Sequence, residues 1–277
     1  MLARTRWEAT PFTLISLLAR RMAQPASASD ITPVALDMRC PDEHLRRTAR
    51  AALENTLTPM LSLHHHGCSE QLAELAARAR AHHSLDGGSL PPQSACDFDG
   101  PLEPLARDTS AKLTALCMRL LKILAGDTAP ALEGRLCMRT YPQAAAHEDG
   151  ATLRLGAHLD NTLFTLLWSD SPGLQVLHPE RAREWTPERV LRYGLPTLGD
   201  ADEAVALRED QWATVQLPWD EGPLLLTLGC AWLSSPLPTA APRAQCAVLH
   251  RVVAPPRDRH SIPFLVDLKS GQHGESA

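Results

Sequence analysis

The sequence predicts a mainly β protein with helical support, built as an antiparallel barrel or a double sheet. Eight short apolar runs with strand-like alternation follow residue 134, whereas the preceding residues carry helical periodicity. A count of 23 prolines in 277 residues suits many loops and strand ends. Hydrophobic residues at 44% and charged residues at 21% are close to globular averages, so a largely disordered chain is excluded.

The N-terminal third is predicted to contain one edge strand, a second extended segment over residues 60–63, and three helices. Residues 31–36 form the strand, and Pro33 places it at a sheet edge because proline cannot donate to a β-ladder. Residues 84–107, with one Gly-Gly and one Pro-Pro pair, are predicted to form a loop. The three helices are expected to begin after the capping residues Asp42, Ser69 and Asp108, and the third to end at Gly126.

The predicted β core follows the helical third. Between its fourth and fifth strands, residues 179–210 are polar and form an insertion with one helix, capped by Thr186 and opened by Pro187. We therefore expect a mixed N-terminal region over residues 30–134, a core over 135–268 and a tail over 269–277. The eight predicted strands are residues 135–141, 152–157, 162–168, 173–177, 212–217, 223–228, 246–253 and 260–268.

Charge and composition exclude several classes of partner. A net charge of −5 argues against a phosphate-binding surface, and aromatic residues at 4% argue against a base-stacking platform, so we expect no nucleic-acid partner. No apolar run approaches the roughly 20 residues that a membrane helix needs, so we expect no membrane partner. The seven cysteines form no CxxC pair, which favours buried free thiols in a reducing compartment over a disulfide framework. We expect a cytoplasmic monomer.

The first 29 residues differ in composition from the rest of the chain. They contain four arginines and a single acidic residue, Glu8. This composition is typical of a mitochondrial transit peptide, but residues 11–19 also resemble a short secretory segment, and a disordered terminus fits equally well. A mitochondrial location therefore stays open beside the cytoplasmic one.

A His-x-Asp pair with a distant third histidine is the most informative chemical pattern. Two histidines and one carboxylate bind Fe(II) on one face and leave its other positions open. Two such pairs occur, His158/Asp160 and His147/Asp149, and only the first lies between predicted strands that would hold it rigidly. His250, in a later predicted strand, is the third candidate ligand. For the adjacent histidines 64–66, and for the pair 82 and 83, structural roles are favoured over metal binding.

Several further motifs, taken in order, resemble the isopenicillin N synthase-like Fe(II)/2-oxoglutarate-dependent dioxygenases. The resemblance spans residues 31–268 and implies a double-stranded β-helix (jelly-roll) core with N-terminal helices in front. The matching blocks are residues 33–37, 66–67, 139–142, 157–160, 163–167, 173–176, 212, 249–253 and 259–262.

The resemblance also implies the site and its reaction. Fe(II) is assigned to His158, Asp160 and His250, and the cosubstrate 2-oxoglutarate to Arg259, Ser261 and Tyr141. The implied reaction is oxidation of a small organic substrate by O₂, by default a hydroxylation, coupled to the release of succinate and CO₂.

Three positions depart from the family's pattern. Many relatives have Gly-Asp where this chain has Gly229-Cys230. Residues 139–142 are Arg-Thr-Tyr-Pro, where relatives have Asn-Tyr-Tyr-Pro. Residues 235–238 are Ser-Pro-Leu-Pro and depart from the usual Ser-Asn-Gly. Two other functions therefore stay open. One is a non-catalytic binding protein on the same fold. The other is a related iron oxidase that does not use 2-oxoglutarate.

Overall fold

The computed structural model describes residues 30–55, 60–85, 94–96, 98, 102–126, 130–143, 153–178, 180, 185–193, 208–235 and 247–269. The five helices in these ranges are α1 (Asp42–Asn55), α2 (Ser69–Leu85), α3 (Glu103–Ala125), α4 (Pro187–Tyr193) and α5 (Cys230–Ser234). The strands are β1 (Asp30–Ile31), β2 (Val34–Asp37), β3 (Met60–His64), β4 (Ser94–Cys96), β5 (Leu132–Leu136), β6 (Met138–Tyr141), β7 (Leu153–His158), β8 (Phe164–Ser169), β9 (Leu174–Leu177), β10 (Trp212–Val215), β11 (Leu224–Leu228), β12 (His250–Val253) and β13 (Arg259–Leu268).

Two sheets form the body of the protein, which confirms the predicted mainly β class. One sheet has the strand order β1-β10-β9-β12-β7. The other has the order β2-β3-β11-β8-β13-β6-β4, with β5 also paired to β13. Neighbouring strands run antiparallel except for β1 with β10 and β2 with β3, which are parallel and lie at the sheet edges. This is the double-sheet arrangement of a jelly roll.

The alternation of side chains along β11 shows how the layers are divided. Leu224, Leu226 and Leu228 belong to the apolar cluster that the larger sheet shares with helices α1, α2 and α3. Leu225 points the other way, into a second cluster with Val176 and other residues of the smaller sheet. Because successive side chains on a strand face opposite sides, one leucine-rich strand can serve both layers. The helices therefore cover one face of the larger sheet, and the smaller sheet packs against its other face.

The predicted N-terminal strand is divided by Pro33. β1 pairs with β10 in the smaller sheet, and β2 pairs with β3 in the larger sheet. Both are edge strands, as predicted. The chain crosses from one sheet to the other at Thr32-Pro33, where the missing amide hydrogen of proline costs no ladder bond.

Several predicted boundaries are wrong. Helix α3 begins at Glu103, so Asp108 lies inside the helix; Pro104, in the first turn, is the start signal that outweighed it. The expected loop over residues 84–107 contains β4, which pairs with β6. The predicted strand over residues 135–141 is two strands, β5 and β6, and both pair with β13. The strand expected over residues 246–253 begins only at His250.

Other predicted features agree with the structure. The third helix ends at Gly126, whose φ of 94° suits glycine. Helix α4 begins at Pro187, and the Thr186 hydroxyl accepts a hydrogen bond from the Arg189 amide at 3.2 Å. Five cysteines are free thiols in the structure, as expected, namely Cys40, Cys68, Cys117, Cys137 and Cys230. Among the described helices, none has the length and apolar character needed to cross a membrane.

Candidate metal and cosubstrate site

His158, Asp160 and His250 meet at one end of the smaller sheet. His158 ends β7 and His250 begins β12, and the two residues are direct partners across this antiparallel pair. The Nε2 atoms of His158 and His250 lie 3.7 and 3.8 Å from the Oδ1 atom of Asp160. The candidate ligand atoms all lie within 4.8 Å of one another, and the imidazole centroids are 4.3 Å apart. A single cation can therefore contact all three side chains.

Hydrogen bonds to backbone carbonyls fix which nitrogen each imidazole presents. The Nδ1 atom of His158 lies 2.8 Å from the carbonyl of Gly156, and that of His250 lies 2.9 Å from the carbonyl of Val248. Because a carbonyl only accepts, each Nδ1 donates, and each Nε2 keeps its lone pair for the centre of the site. Burial and then the neighbouring His250 lower the pKa of His158, which favours the neutral form that binds metals.

The carboxylate of Asp160 is held in position by its own turn. Its Oδ2 atom accepts a hydrogen bond from the Thr165 hydroxyl at 2.6 Å, so Oδ1 is left facing the histidines. The backbone carbonyl of Asp160 accepts a hydrogen bond from the Cys230 amide at 2.8 Å. The adjacent amides of Gly229 and Ala231 bond two further carbonyls of the same turn. The start of helix α5 therefore anchors the turn that carries the acidic ligand candidate.

Arg259 lies at the far end of the same space, on the larger sheet. It is 1% exposed, and its Nε donates to the carbonyl of Ser171 at 3.1 Å. Its two outer nitrogens, Nη1 and Nη2, are buried and have no hydrogen-bond acceptor among the described residues. Burial lowers the pKa of this guanidinium, although the nearby Tyr141 and Asp170 oppose the shift. The arginine therefore offers a free pair of donors to an anionic ligand.

Two hydroxyl groups flank this guanidinium. Tyr141 on β6 is the direct cross-strand partner of Arg259, whose guanidinium carbon lies 5.1 Å from the centre of the phenol ring. Ser261 lies two residues along β13 and therefore faces the same side of the sheet. Burial raises the pKa of Tyr141, although the charge of Arg259 opposes this, so the phenol keeps its proton and can donate it in a hydrogen bond.

One cavity joins the two ends of the site. Its space, counted through the mouth into open solvent, is about 550 Å³. The smaller sheet contributes the histidines, and the larger sheet contributes the arginine. Its walls are largely apolar and include Leu155, Leu167, Leu174 and Val252. The structure thus brings together every residue that the sequence singled out for metal or cosubstrate, and the full set is Tyr141, His158, Asp160, His250, Arg259 and Ser261.

Three residues around the site were not predicted from the sequence. Thr165 lies within a block already singled out, but its bond to the carboxylate is visible only in the folded turn. Arg139, which departs from the family's sequence pattern, lines the cavity. Arg251 follows His250 and faces the opposite side, where it is 4% exposed and contacts Glu209, Gln175 and the Trp212 ring. Alternation along the strand could have predicted that Arg251 faces away from His250.

Of the other histidines considered as metal ligands, some are described in the structure and others are not. His66 accepts a hydrogen bond from the Cys68 amide through Nδ1, and its Nε2 lies 3.1 Å from the carbonyl of Gly222. His64 contacts the Ser62 hydroxyl. Both histidines thus make structural hydrogen bonds, as expected. The His147/Asp149 pair lies outside the described residues, as do the side chains of residues 82 and 83.

Comparisons with known proteins agree on the fold. No family model matches the sequence, and no curated protein is significantly similar to it. Among solved structures, JOX2 in complex with 2OG, Fe and JA is 17% identical, with a TM-score of 0.57 over 90% of this chain and 78% of that chain. A full-length Neurospora crassa protein in complex with alpha-KG is 16% identical, with a TM-score of 0.55 over 88% of this chain and 86% of that chain. The rice dioxygenase for auxin oxidation is 18% identical, with a TM-score of 0.56 over 84% of this chain and 82% of that chain.

These similarities establish the architecture. The chain has the jelly-roll fold of these solved proteins. The expectation drawn from the sequence motifs is therefore confirmed for the fold. The narrower isopenicillin N synthase-like assignment stays a prediction.

Proposed function

We propose that this chain is an Fe(II)- and 2-oxoglutarate-dependent oxygenase that oxidises a small organic substrate with O₂ and releases succinate and CO₂. Hydroxylation is the default outcome. One observation carries the proposal: a two-histidine, one-carboxylate cluster and a buried arginine with two unpaired nitrogens line the same cavity. A metal site alone or an arginine alone would support many functions, but the combination suits a metal with a carboxylate cosubstrate.

The donor set fits Fe(II). Two imidazole nitrogens and one carboxylate oxygen would hold the metal and leave positions for a cosubstrate and O₂. Fe(II) bound there would supply the activation of O₂ and the oxidation chemistry. The chain's own residues hold the imidazoles in one tautomer and fix the carboxylate, which reduces the rearrangement needed on metal binding.

The opposite end of the cavity fits a dicarboxylate. A carboxylate placed beside Arg259 would accept from both outer nitrogens, which now lack acceptors. Ser261 and the protonated Tyr141 would add hydroxyl donors to the same group. These contacts would orient the cosubstrate with its other end toward the metal cluster. The presence of 2OG and Fe in the JOX2 structure, and of alpha-KG in the Neurospora crassa structure, supports this assignment.

The test compares cosubstrate turnover with metal binding. Purified protein loaded anaerobically with Fe(II) is expected to bind 2-oxoglutarate and, after exposure to O₂, to form succinate. His158→Ala and Arg259→Gln should both abolish or strongly reduce succinate formation, the first through the metal and the second through cosubstrate affinity. His44→Ala, on the exposed face of α1, serves as the control. Full turnover by His158→Ala would refute the ligand assignment.

The same assay separates the two alternative functions. A non-catalytic binding protein would bind ligands without consuming O₂. An oxidase that does not use 2-oxoglutarate would consume O₂ with its own substrate and form no succinate. Either result would replace the proposed reaction.

A further inference from the structure

A second arginine faces the same cavity and has no counter-ion there. Arg139 lies on β6, directly across from Ser261 on β13, and its side chain is half-buried. It lines the cavity. Burial is the main cause of the raised pKa of Tyr141 and of the lowered pKa of His158, and the charge of Arg139 opposes the first shift and adds to the second, so its guanidinium lies near both ends of the site. Within the described part of the chain it makes no ion pair or side-chain hydrogen bond. This charge has no role in the proposed metal and cosubstrate binding.

The cavity would keep a net charge of about +1 after Fe(II) and 2-oxoglutarate bind. Asp160 is the single carboxylate among the lining residues, and Arg139 and Arg259 are the cations. Fe(II) and the 2-oxoglutarate dianion would cancel each other, and Asp160 would cancel Arg259. Arg139 then remains as one unbalanced positive charge in a partly desolvated space. Pairing with an anion would offset the partial loss of hydration of this half-buried charge.

The walls of the cavity limit what the rest of that anion can be. Apart from the residues already assigned, the lining is dominated by Leu155, Leu167, Leu174 and Val252. Such walls favour an apolar body and give a second charged group no partner. A guanidinium fork matches the geometry and single charge of a carboxylate.

We propose that Arg139 binds the carboxylate of the organic substrate, and that this substrate is a monocarboxylic acid with an apolar body. The proposal rests on the proposed oxygenase function and adds the substrate class to it. Arg139 selects the substrate, while the metal cluster and Arg259 bind the metal and the cosubstrate.

The test uses acids and amides of the same shape. Binding of propanoate, hexanoate and 3-phenylpropanoate, each beside its neutral amide, is measured by anaerobic calorimetry on protein loaded with Fe(II) and saturating 2-oxoglutarate, so that Arg259 is already occupied. At least one acid is expected to bind about 10- to 100-fold more tightly than its amide, as a charge-assisted pair of hydrogen bonds requires. Arg139→Gln should remove this preference. Arg135→Gln, an exposed arginine on the neighbouring strand β5, should keep it.

Affinity for 2-oxoglutarate, measured on the same proteins, separates the outcomes. Arg139→Gln is expected to change it by less than about threefold. If no acid binds more tightly than its amide, or if the variant loses affinity for 2-oxoglutarate instead, Arg139 does not select the substrate and the proposal is overturned. If the wild-type protein prefers acids in an Arg139-dependent way but binds no 2-oxoglutarate, the carboxylate site stands and the oxygenase function fails.

Discussion

Replacing Gly229 by alanine should disturb the candidate metal site without touching any of its ligands. A Cβ atom added at Gly229 would lie 2.1 Å from the carbonyl oxygen of Thr162 and 2.9 Å from that of Asp160. Ordinary contact begins near 3.4 Å, so the turn that carries Asp160 must retreat by about 1.3 Å. The backbone of Gly229 is extended, so alanine itself is not strained there, and the whole effect comes from this contact.

A shift of that size exceeds what a metal site tolerates. Productive ligand geometry is held to about 0.5 Å, and the amides of residues 229–231 bond the same turn, so the turn cannot move without losing hydrogen bonds. We expect metal affinity to fall by about 10- to 100-fold, as for changes in residues that position ligands. Overpacking of this kind should also lower the free energy of unfolding by about 1–3 kcal/mol.

Gly156→Ala is the matched control. Gly156 lies two residues from His158, but a Cβ atom there meets nothing within 4 Å, and its carbonyl can still accept from the imidazole. Metal binding is measured by anaerobic titration with Fe(II) or Co(II), and stability by thermal and urea unfolding. The reasoning is refuted if Gly229→Ala binds metal as tightly as the wild type, or if Gly156→Ala loses as much affinity.

Three further substitutions test separate parts of the structure. Thr165→Val removes the donor to Oδ2 of Asp160, so metal affinity should fall about tenfold in the same titration while the circular dichroism spectrum is unchanged. Burial opposes ionisation of Asp170, yet its hydrogen bonds with His260 lower its pKa in the folded protein. The resulting stabilisation of the fold is present above the unfolded-state pKa of about 3.9, and it is lost as the pH falls through the pKa of the folded state. Asp170→Asn should therefore cost about 1–3 kcal/mol of unfolding free energy in urea at pH 7, and less near pH 3. Arg251→Met should cost only about 1–2 kcal/mol by urea unfolding, since its carboxylate partner is 70% exposed and can be hydrated instead.

Each of these predictions has a contrary outcome. Unchanged metal affinity in Thr165→Val would show that the hydroxyl does not position the carboxylate. An Asp170→Asn effect that grows as the pH falls would contradict the direction of the pKa shift. A loss above about 4 kcal/mol in Arg251→Met would mean that the carboxylate partner is left without adequate hydration.

Local patterns predicted much of the fold. The predicted strand over residues 223–228 is β11, and alternation along it places successive leucines in two layers, because side-chain direction on a strand follows residue parity. Pro187 located a helix start correctly for a similar reason, since its backbone is preset for a first turn. The start of helix α3 was missed where two local signals competed, Pro104 and Asp108, and the packing of the earlier turns against the core decided between them.

What the sequence determined by itself was the chemistry available: a closely spaced His158/Asp160 pair on one strand end, a second imidazole at residue 250, and an arginine with a hydroxyl two residues later. Only the tertiary structure decided that β7 and β12 are neighbours with these histidines opposite each other, and that Gly229 supports the turn between them. It also decided that Arg139 faces the cavity while Arg251 faces away from it. The physical reason is that spacing along a strand is fixed by covalent geometry, whereas strand pairing and burial depend on distant segments whose apolar faces must pack together.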